Sequence, residues 1–396
     1  MEKLNTKYLR LLTSVKASPK RFLFDKINWQ DRFIIIKGQR GTGKTTLLLQ
    51  YIKTTFKDYS ETLYVSLNDI YFSANTLSDL AEKFVMDGGR FLFLDEVHRY
   101  KGWSEELKNI YDFYPDLQLI ITGSSALAFY INQADLGRRA SVYDLPELSF
   151  REYLNMAYKT NFLSFQLSDI LDHHEHLEMD INAKIKSVKL FREYLYSGAY
   201  PFVLEGRDKY FDKLEAIINT VIDSDIPAIE NITFESRIKL KKLLLVMATS
   251  TPFKVNISEL SRKLQTTRDV LLKYLELLNK AGIIKFLSRE DIGHVLLRKP
   301  DKIYFSNSNL IYAFQDDANK GTVRETFFLN QLSVGHHVFY PKTGDFLVNG
   351  KYTFEVGGKT KTPAQIKSVG NAYLALDDME YGFKNRIPLW LFGFLY

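Results

Sequence analysis

A glycine-rich loop near the amino end constrains the fold of this chain more than any other feature. The apolar run at 33–36 precedes the loop, and an amphipathic stretch over 44–54 follows it. The loop reads Gly38-Gln39-Arg40-Gly41-Thr42-Gly43-Lys44-Thr45-Thr46. A strand, a glycine loop and a helix in this order let successive backbone N–H groups curl around an anion at a helix N-terminus. The order therefore predicts a phosphate-binding loop.

The polar residues of this loop have defined tasks in such a site. The ammonium of Lys44 is expected to reach the β- and γ-phosphates of a nucleotide, and the Thr45 hydroxyl is expected to hold Mg²⁺. The sequence therefore predicts ATP and Mg²⁺ as the ligands of segment 38–46.

A second polar element follows a later apolar run. Residues 91–94 read Phe-Leu-Phe-Leu and lead directly into Asp95 and Glu96. At the C-terminal end of a buried strand, Asp95 is expected to hold Mg²⁺ through water and Glu96 to polarise the attacking water. Because one carboxylate suffices for binding, the second one indicates hydrolysis.

Two further groups are candidates for contact with the γ-phosphate. We take Ser124 as the candidate sensor at the end of the next strand, with Thr122 and Ser125 as rivals and helix capping as the alternative role. Arg138 and Arg139 follow later, where an arginine would stabilise charge on the transferring phosphate. A solvated pair of arginines is the alternative.

The elements around these motifs alternate between strands and helices. Strands are expected at 33–36, 62–67, 91–94 and 117–121, and helices at 44–54, 76–87 and 103–113. This alternation is typical of an α/β fold with a parallel sheet that is covered by helices on both faces.

Over most of its length, the chain resembles the prokaryotic AAA-type ATPases that carry a C-terminal domain of unknown function. The resemblance rests on the loop, on the acidic strand end, on Trp103 and on the segments 121–129, 136–139, 146–154 and 197–201. It implies an ATPase domain, a winged helix and a nuclease-like α/β domain in that order. The glycine–arginine motif of the family falls on Gly137-Arg138, which favours Arg138 over Arg139.

Length agrees with several domains, since 396 residues predict two or three. We expect an ATPase domain over 1–155, a helical linker over 156–236, a winged helix over 237–302 and a nuclease-like domain over 303–396. The histidine cluster at 173–176 is interpreted as part of a solvated helix or linker rather than as a metal site.

Segment 237–302 has the pattern of a winged helix. Apolar spacing marks helices near 257–264 and 271–278, and strand-like pieces follow at 283–287 and 294–298. Thr266 and Asp269 are expected to form a capping box at the second helix.

This segment is also strongly basic, with 15 Lys+Arg and 6 Asp+Glu. Thr267, Arg268 and Lys273 fall on the exposed side of the second helix and are candidate contacts for duplex DNA. A protein–protein or interdomain module is the alternative role.

Three acids in the last region match part of a nuclease pattern. Glu325 lies in a helical stretch, while Asp345 and Glu355 adjoin strand-like runs. By similarity to PD-(D/E)xK nucleases, a lysine is expected two residues after Glu355. That position holds Gly357, so Lys359 is the substitute and the site is expected to be degenerate.

The leading hypothesis is a Mg²⁺-dependent ATPase that uses nucleotide state to switch contacts with a partner. DNA is the favoured partner. The alternatives are a nucleotide-gated binding or protein-interaction module and an ATP-coupled nuclease. An arginine that acts in trans requires a homo-oligomer, whereas one that acts in cis permits a monomer. The absence of cysteine excludes disulfides and zinc fingers. No signal peptide or membrane span is expected, which indicates a cytoplasmic protein.

Overall fold

The computed structural model describes residues 1–124, 136–249, 256–290 and 300–396. The chain forms two compact units. The first contains Met1–Pro146, Thr220–Ile232 and Lys280–Gly282, and the second contains Glu147–Asn219, Thr233–Asn279 and Ile283–Tyr396. Within the described ranges, no helix is long and apolar enough to cross a lipid bilayer.

The first unit is built on a five-stranded parallel sheet. Its strands are β1 (Phe33–Lys37), β2 (Thr62–Ser66), β3 (Phe91–Asp95), β4 (Gln118–Gly123) and β5 (Ser141–Asp144). They lie in the order β2-β3-β4-β1-β5, with every neighbouring pair parallel. Residues of β1, β3 and β4 are almost all buried, as apolar strands covered on both faces should be. The four predicted strands are confirmed, whereas β5 lacks a continuous apolar run and escaped prediction.

Four α-helices of the first unit lie within the described residues of Met1–Pro146. They are α1 (Glu2–Ser14), α2 (Lys44–Thr55), α3 (Leu77–Met86) and α4 (Trp103–Phe113). The parallel register pairs Lys37 with Gly123 and Leu94 with Ile121. The C-terminal ends of β1, β3 and β4 therefore meet at one edge of the sheet, where the loop, the acids and the candidate sensor residues follow.

The second unit begins with helices. These are α5 (Phe150–Ala157), α6 (Leu167–Asn182), α7 (Ser187–Ser197) and α8 (Tyr210–Thr220). The histidine cluster lies on α6, and its interpretation as fully solvated is wrong for His174, which is 4% exposed. The His174 ring bonds to Glu178 at 2.8 Å and to the carbonyl oxygen of Lys384 at 2.9 Å. His174 therefore lies on the buried face of α6, which runs from Leu167 to Ile181.

The basic segment contributes three helices and a pair of strands. They are α9 (Phe234–Thr249), α10 (Ile257–Lys263), α11 (Arg268–Lys280), β6 (Ile284–Leu287) and β7 (Lys302–Phe305). β6 pairs with β7 in antiparallel fashion, so its partner lies later in the chain than the predicted piece at 294–298, which is outside the described residues. The cap of α11 also differs from the prediction, because the Thr267 hydroxyl accepts from the Val270 N–H at 3.4 Å.

The chain ends in a second, mixed sheet. Its elements are α12 (Ser308–Tyr312), α13 (Lys320–Leu332), β8 (Val338–Phe339), β9 (Phe346–Val348), β10 (Tyr352–Gly358), β11 (Ala372–Asp377) and β12 (Arg386–Pro388). The strands lie in the order β12-β11-β10-β9-β8. β10, β11 and β12 are parallel, while β8 and β9 run antiparallel to their neighbours. Large aromatic side chains fill the space between α13 and β10, where Phe328 lies 5.0 Å from Phe354 between ring centroids.

Candidate functional site

Three glycines shape the loop between β1 and α2. Gly41 and Gly43 have φ angles of 85° and 93°, which residues with side chains rarely adopt. A Cβ atom on Gly38 would lie 2.3 Å from the carbonyl oxygen of Leu145, so only glycine fits there. The loop leads directly into α2 at Lys44, and it thus places its backbone at the positive end of a helix dipole.

Lys44 is buried beneath this loop. Its side chain is held among backbone atoms, and its ammonium donates to the carbonyl oxygens of Gly38 and Gln39 at 2.8 Å each. Burial lowers the pKa of Lys44, while the carboxylates of Glu96 and Asp95 act in the opposite direction. Both hydrogen-bond acceptors are neutral carbonyls, so the positive charge is available to a phosphate group.

Asp95 collects hydroxyl donors at the end of β3. The Thr45 hydroxyl donates to its carboxylate at 2.6 Å and the Tyr64 hydroxyl donates at 2.7 Å, while the Thr122 hydroxyl donates to the other oxygen. Asp95 is only 3% exposed. Thr45 and Asp95 thus lie side by side. Both side chains offer oxygen atoms, which are the ligands that Mg²⁺ prefers. These two residues fit the predicted ion.

Tyr64 is a site residue that sequence reasoning missed. It lies on β2, and burial together with the neighbouring Asp95 raises the pKa of its phenol far above the ordinary value. The phenol therefore remains protonated and acts as a hydrogen-bond donor. Its position next to Asp95 follows from the pairing of β2 with β3, which the sequence pattern does not reveal.

Glu96 has a backbone conformation that only a constrained residue holds. Its φ and ψ angles are 56° and 41°, in the left-handed region that costs a non-glycine residue free energy. Its carboxylate accepts from the Arg40 guanidinium at 2.9 Å and lies 3.5 Å from the His98 ring. The predicted general base is therefore held by a residue of the phosphate loop itself.

The two sensor candidates within the described residues occupy different environments. The Thr122 hydroxyl contacts the Asp95 carboxylate and accepts from the Glu96 N–H at 3.3 Å. Ser124 is buried, and its hydroxyl has no hydrogen-bond partner among the described residues. The third candidate, Ser125, lies outside those residues. Thr122 is thus the residue in contact with the acidic pair, while Ser124 retains an unused hydroxyl.

The remaining loop residues and the two arginines differ in exposure. Thr42 is buried, and its carbonyl oxygen accepts from the Arg21 guanidinium. The sequence did not suggest this contact. Thr46 and Arg138 are exposed. Arg139 forms an ion pair with Asp112 at 3.1 Å. Arg139 is thus engaged within its own unit, and the assignment of Arg138 to the transferring phosphate stays a prediction.

The three DNA-contact candidates are exposed. Arg268 and Lys273 lie on α11, and Thr267 directly precedes it. The opposite face of that helix is apolar and buried through Leu271, Leu275 and Leu278. α11 thus presents a polar face that carries two cationic side chains.

The structure brings the three predicted acids of the last region together but pairs them with lysines. The Lys302 ammonium lies 3.2 Å from Glu325 and 3.8 Å from Asp345, and the Lys361 ammonium lies 3.0 Å from Glu355. In the ranges that the structure describes, no group of three or more histidine or acidic side chains has the geometry to hold a metal ion.

The lysine paired with Glu355 is Lys361, not the predicted Lys359. A Cβ atom at Gly357 would lie 2.9 Å from side-chain carbons of Lys361, so the long side chain occupies the space beside that glycine. Burial would lower the pKa of Lys361, but the carboxylates of Glu355, Asp345 and Glu325 raise it above the ordinary value. Lys359 is exposed. Spacing along the strand pointed to Lys359, but the chain turns after β10 and brings Lys361 to Glu355 instead.

Comparisons with known proteins agree with this geometry. The AAA domain family model matches residues 30–154, and the model of a domain of unknown function (DUF8612) matches residues 188–320. The region that is similar to AAA domains therefore contains the parallel sheet and the phosphate loop.

Two relatives cover most of the chain. An uncharacterized protein of Methanocaldococcus jannaschii is 26% identical over 402 residues, which is 91% of this chain and 84% of that protein. An uncharacterized protein of Haemophilus influenzae is 24% identical over 325 residues, which is 75% of this chain and 73% of that protein. The similarity to these two proteins therefore extends well beyond the residues that match the AAA domain model.

Among solved structures, the Aeropyrum pernix ORC1 protein in complex with DNA aligns at 14% identity over 81% of this chain and 91% of that chain. The TM-score of this alignment is 0.32.

Proposed function

We propose that the first unit binds ATP with Mg²⁺ and hydrolyses it. The observation that carries the proposal is the convergence of Lys44, Thr45, Asp95 and Glu96 at one edge of the parallel sheet, with Asp95 hydrogen-bonded to Thr45 at 2.6 Å. Each residue type matches one requirement of phosphoryl transfer to water.

The residues divide the work as follows. Lys44 exchanges its carbonyl partners for phosphate oxygens, and Thr45 and Asp95 hold the ion. Mg²⁺ supplies charge neutralisation at the phosphates when it is bound. Glu96 accepts a proton from the attacking water, which requires it to leave the Arg40 guanidinium.

ATP turnover by the full chain tests this proposal. We expect Glu96→Gln to keep nucleotide binding and to lose turnover by about a hundredfold or more, because general base catalysis contributes that much. Glu82→Gln is the matched control, since Glu82 is exposed on α3. Equal turnover in the wild type and Glu96→Gln would overturn the assignment of the base.

A nucleotide-gated binding module with little turnover is the second candidate. The specific observation in its favour is the contact between Glu96 and Arg40, because a base held by a guanidinium cannot activate water. The wild-type turnover rate separates the two functions. A wild-type protein that binds nucleotide tightly but needs many minutes to hydrolyse one ATP would favour the gated module.

We propose duplex DNA as the partner whose contact is switched by the nucleotide. The exposed face of α11, the helix–turn–helix order of α10 and α11, and the basic composition of 237–302 support a winged-helix role for this segment. The Arg268→Ala, Lys273→Ala double variant should bind DNA more weakly and with a flatter salt dependence. A Lys57→Ala, Lys83→Ala variant in the first unit is the control, and an unchanged affinity and salt slope would remove α11 from the interface.

The third function considered is cleavage of DNA by the C-terminal sheet. We propose that this sheet does not cleave DNA. Lys302 and Lys361 neutralise the acids that a metal ion would need. Nicking of supercoiled DNA in Mg²⁺ or Mn²⁺ by the wild type, lost in Asp345→Ala, would contradict this view.

A further inference from the structure

A short segment far along the chain belongs to the first unit. Residues Thr220–Ile232 are part of that unit, although the residues before and after them belong to the second. The segment contains a π-helical turn, Val221–Asp225, followed by a one-turn helix, Ile226–Ile229. Val221, Ile222 and Ile226 are buried and anchor the segment by apolar packing.

Asp225 ends the π-helical turn and is buried among cationic side chains. Its carboxylate is 2% exposed and lies 2.8 Å from the Arg99 guanidinium and 3.3 Å from the Arg40 guanidinium. The His98 ring is 3.6 Å away. Burial would raise the pKa of Asp225, but His98, Arg40 and Arg99 hold it below the ordinary value. Asp225 is therefore a buried anion.

Arg40 connects this anion to the predicted general base. The same terminal nitrogen of Arg40 lies 2.9 Å from the Glu96 carboxylate and 3.3 Å from the Asp225 carboxylate. The guanidinium thus has two anionic partners, one of which must move for hydrolysis. When Glu96 turns towards a water molecule, Asp225 still neutralises Arg40. Without Asp225, the same movement would leave a partly buried cation without its charge partner, which is costly.

We propose that Asp225 is a positioning residue for hydrolysis that acts through Arg40 and lowers the free energy needed to release Glu96. The proposal rests on the ATPase function proposed above. It assigns to segment 220–232 an indirect effect on the chemical step, although this segment lies outside the motifs that define the nucleotide site. The effect is on the release of the base and not on the binding of the phosphates.

A double-mutant cycle on the full chain tests this role. Asp225→Asn keeps the shape of the side chain and removes its charge, so that, of the two ion-pair partners described above, Arg40 retains Glu96. We expect kcat to fall by about tenfold, within the range of direct coupling between charged neighbours, while the Kd for ATP stays within about twofold of the wild type. In an Arg40→Gln background, the same Asp225→Asn change should have little effect on kcat.

The controls separate this role from a structural one. Melting temperatures of all four proteins check folding, and Asp225→Glu, which keeps the charge, should restore part of the lost turnover if Asp225→Asn folds poorly. An equal fall in kcat with and without Arg40, or no fall at all, would overturn the proposal. Loss of wild-type turnover in the same assay would instead refute the ATPase function itself, and this role would fall with it.

Discussion

Two regions of this protein place acids and a lysine near the ends of strands, and they treat the charges in opposite ways. In the first unit, Asp95 accepts from neutral hydroxyls, including that of Thr45 at 2.6 Å, and Lys44 donates to neutral carbonyls at 2.8 Å. In the C-terminal sheet, Glu355 is paired directly with Lys361 at 3.0 Å. The first arrangement leaves charge available for phosphates and a cation, whereas the second cancels it internally.

The comparison teaches that matching residue types do not define a ligand site. What distinguishes Lys44 and Asp95 from the C-terminal acids is whether the hydrogen-bonding neighbours of the charged group are neutral or oppositely charged. A buried ion pair satisfies both of its members, so a ligand would have to compete with that pair. Neutral hydroxyl and carbonyl partners hold a charged group in place without cancelling its charge.

The largest expected effect is on nucleotide binding through Lys44. Lys44→Ala removes charge-assisted hydrogen bonds to phosphates and should weaken ATP binding by at least about 2 kcal/mol, roughly thirtyfold in Kd. Calorimetric titration with a non-hydrolysable ATP analogue measures this change. Lys57→Ala, an exposed lysine just after α2, is the control, and an unchanged Kd in Lys44→Ala would break the comparison at its first member.

The second prediction concerns the C-terminal lysine. Lys361→Met leaves the buried Glu355 carboxylate without its ion pair and should lower the free energy of unfolding of the second unit by about 2 kcal/mol. Lys359→Met should change it by less than about 0.5 kcal/mol. Urea denaturation measures both values. Adding Glu355→Gln to Lys361→Met should recover most of the loss, and equal effects of the two lysine changes would show that the charge pair is not structural.

Tyr64→Phe sharpens the account of the first unit at a smaller scale. The variant removes one hydroxyl donor from the buried Asp95 carboxylate and should lower the free energy of unfolding of this unit by about 1 kcal/mol. Tyr59→Phe is the control, because the Tyr59 ring packs against Tyr8 with a centroid distance of 6.5 Å. A loss in Tyr59→Phe as large as that in Tyr64→Phe would argue against a specific hydroxyl contact.

The smallest expected effect is a pH dependence in the second unit. Burial would lower the pKa of His174, but its bonds to Glu178 and to the Lys384 carbonyl raise that pKa above 6.5. A raised folded-state pKa stabilises the fold fully below pH 6.5, and this contribution is lost as the pH rises through the folded-state value. His174→Gln should flatten the pH dependence of the free energy of unfolding, measured by urea denaturation, above pH 6.5. His176→Gln, at an exposed position of the same helix, should leave it unchanged, and identical profiles for the two variants would rule out the His174 pair as its source.

Site residues that lie in consecutive elements were predictable from the sequence, whereas those that depend on long-range contacts were not. The loop at 38–46 and the Asp95-Glu96 pair were predictable because strand, turn and helix are consecutive in the chain. Tyr64 and Asp225 reach the same site through strand pairing and through a distant segment, which no local spacing encodes. Lys361 was missed because its side chain returns beside Gly357 after the strand has ended.

The histidine cluster shows the same limit on a single helix. His173 and His176 are exposed as predicted, but His174 faces the interior. The sequence of α6 alone does not indicate which side the rest of the chain covers, so the buried face could not be assigned before the structure was known.

Counting bound Mn²⁺ by electron paramagnetic resonance tests the central claim most directly. The claim is that the first unit is the cation and nucleotide site and that the C-terminal acids are not. We predict a single Mn²⁺ per chain that binds tightly only with a non-hydrolysable ATP analogue, that is lost in Lys44→Ala and that is retained in Asp345→Ala. Tight Mn²⁺ binding without nucleotide that disappears in Asp345→Ala would contradict the account.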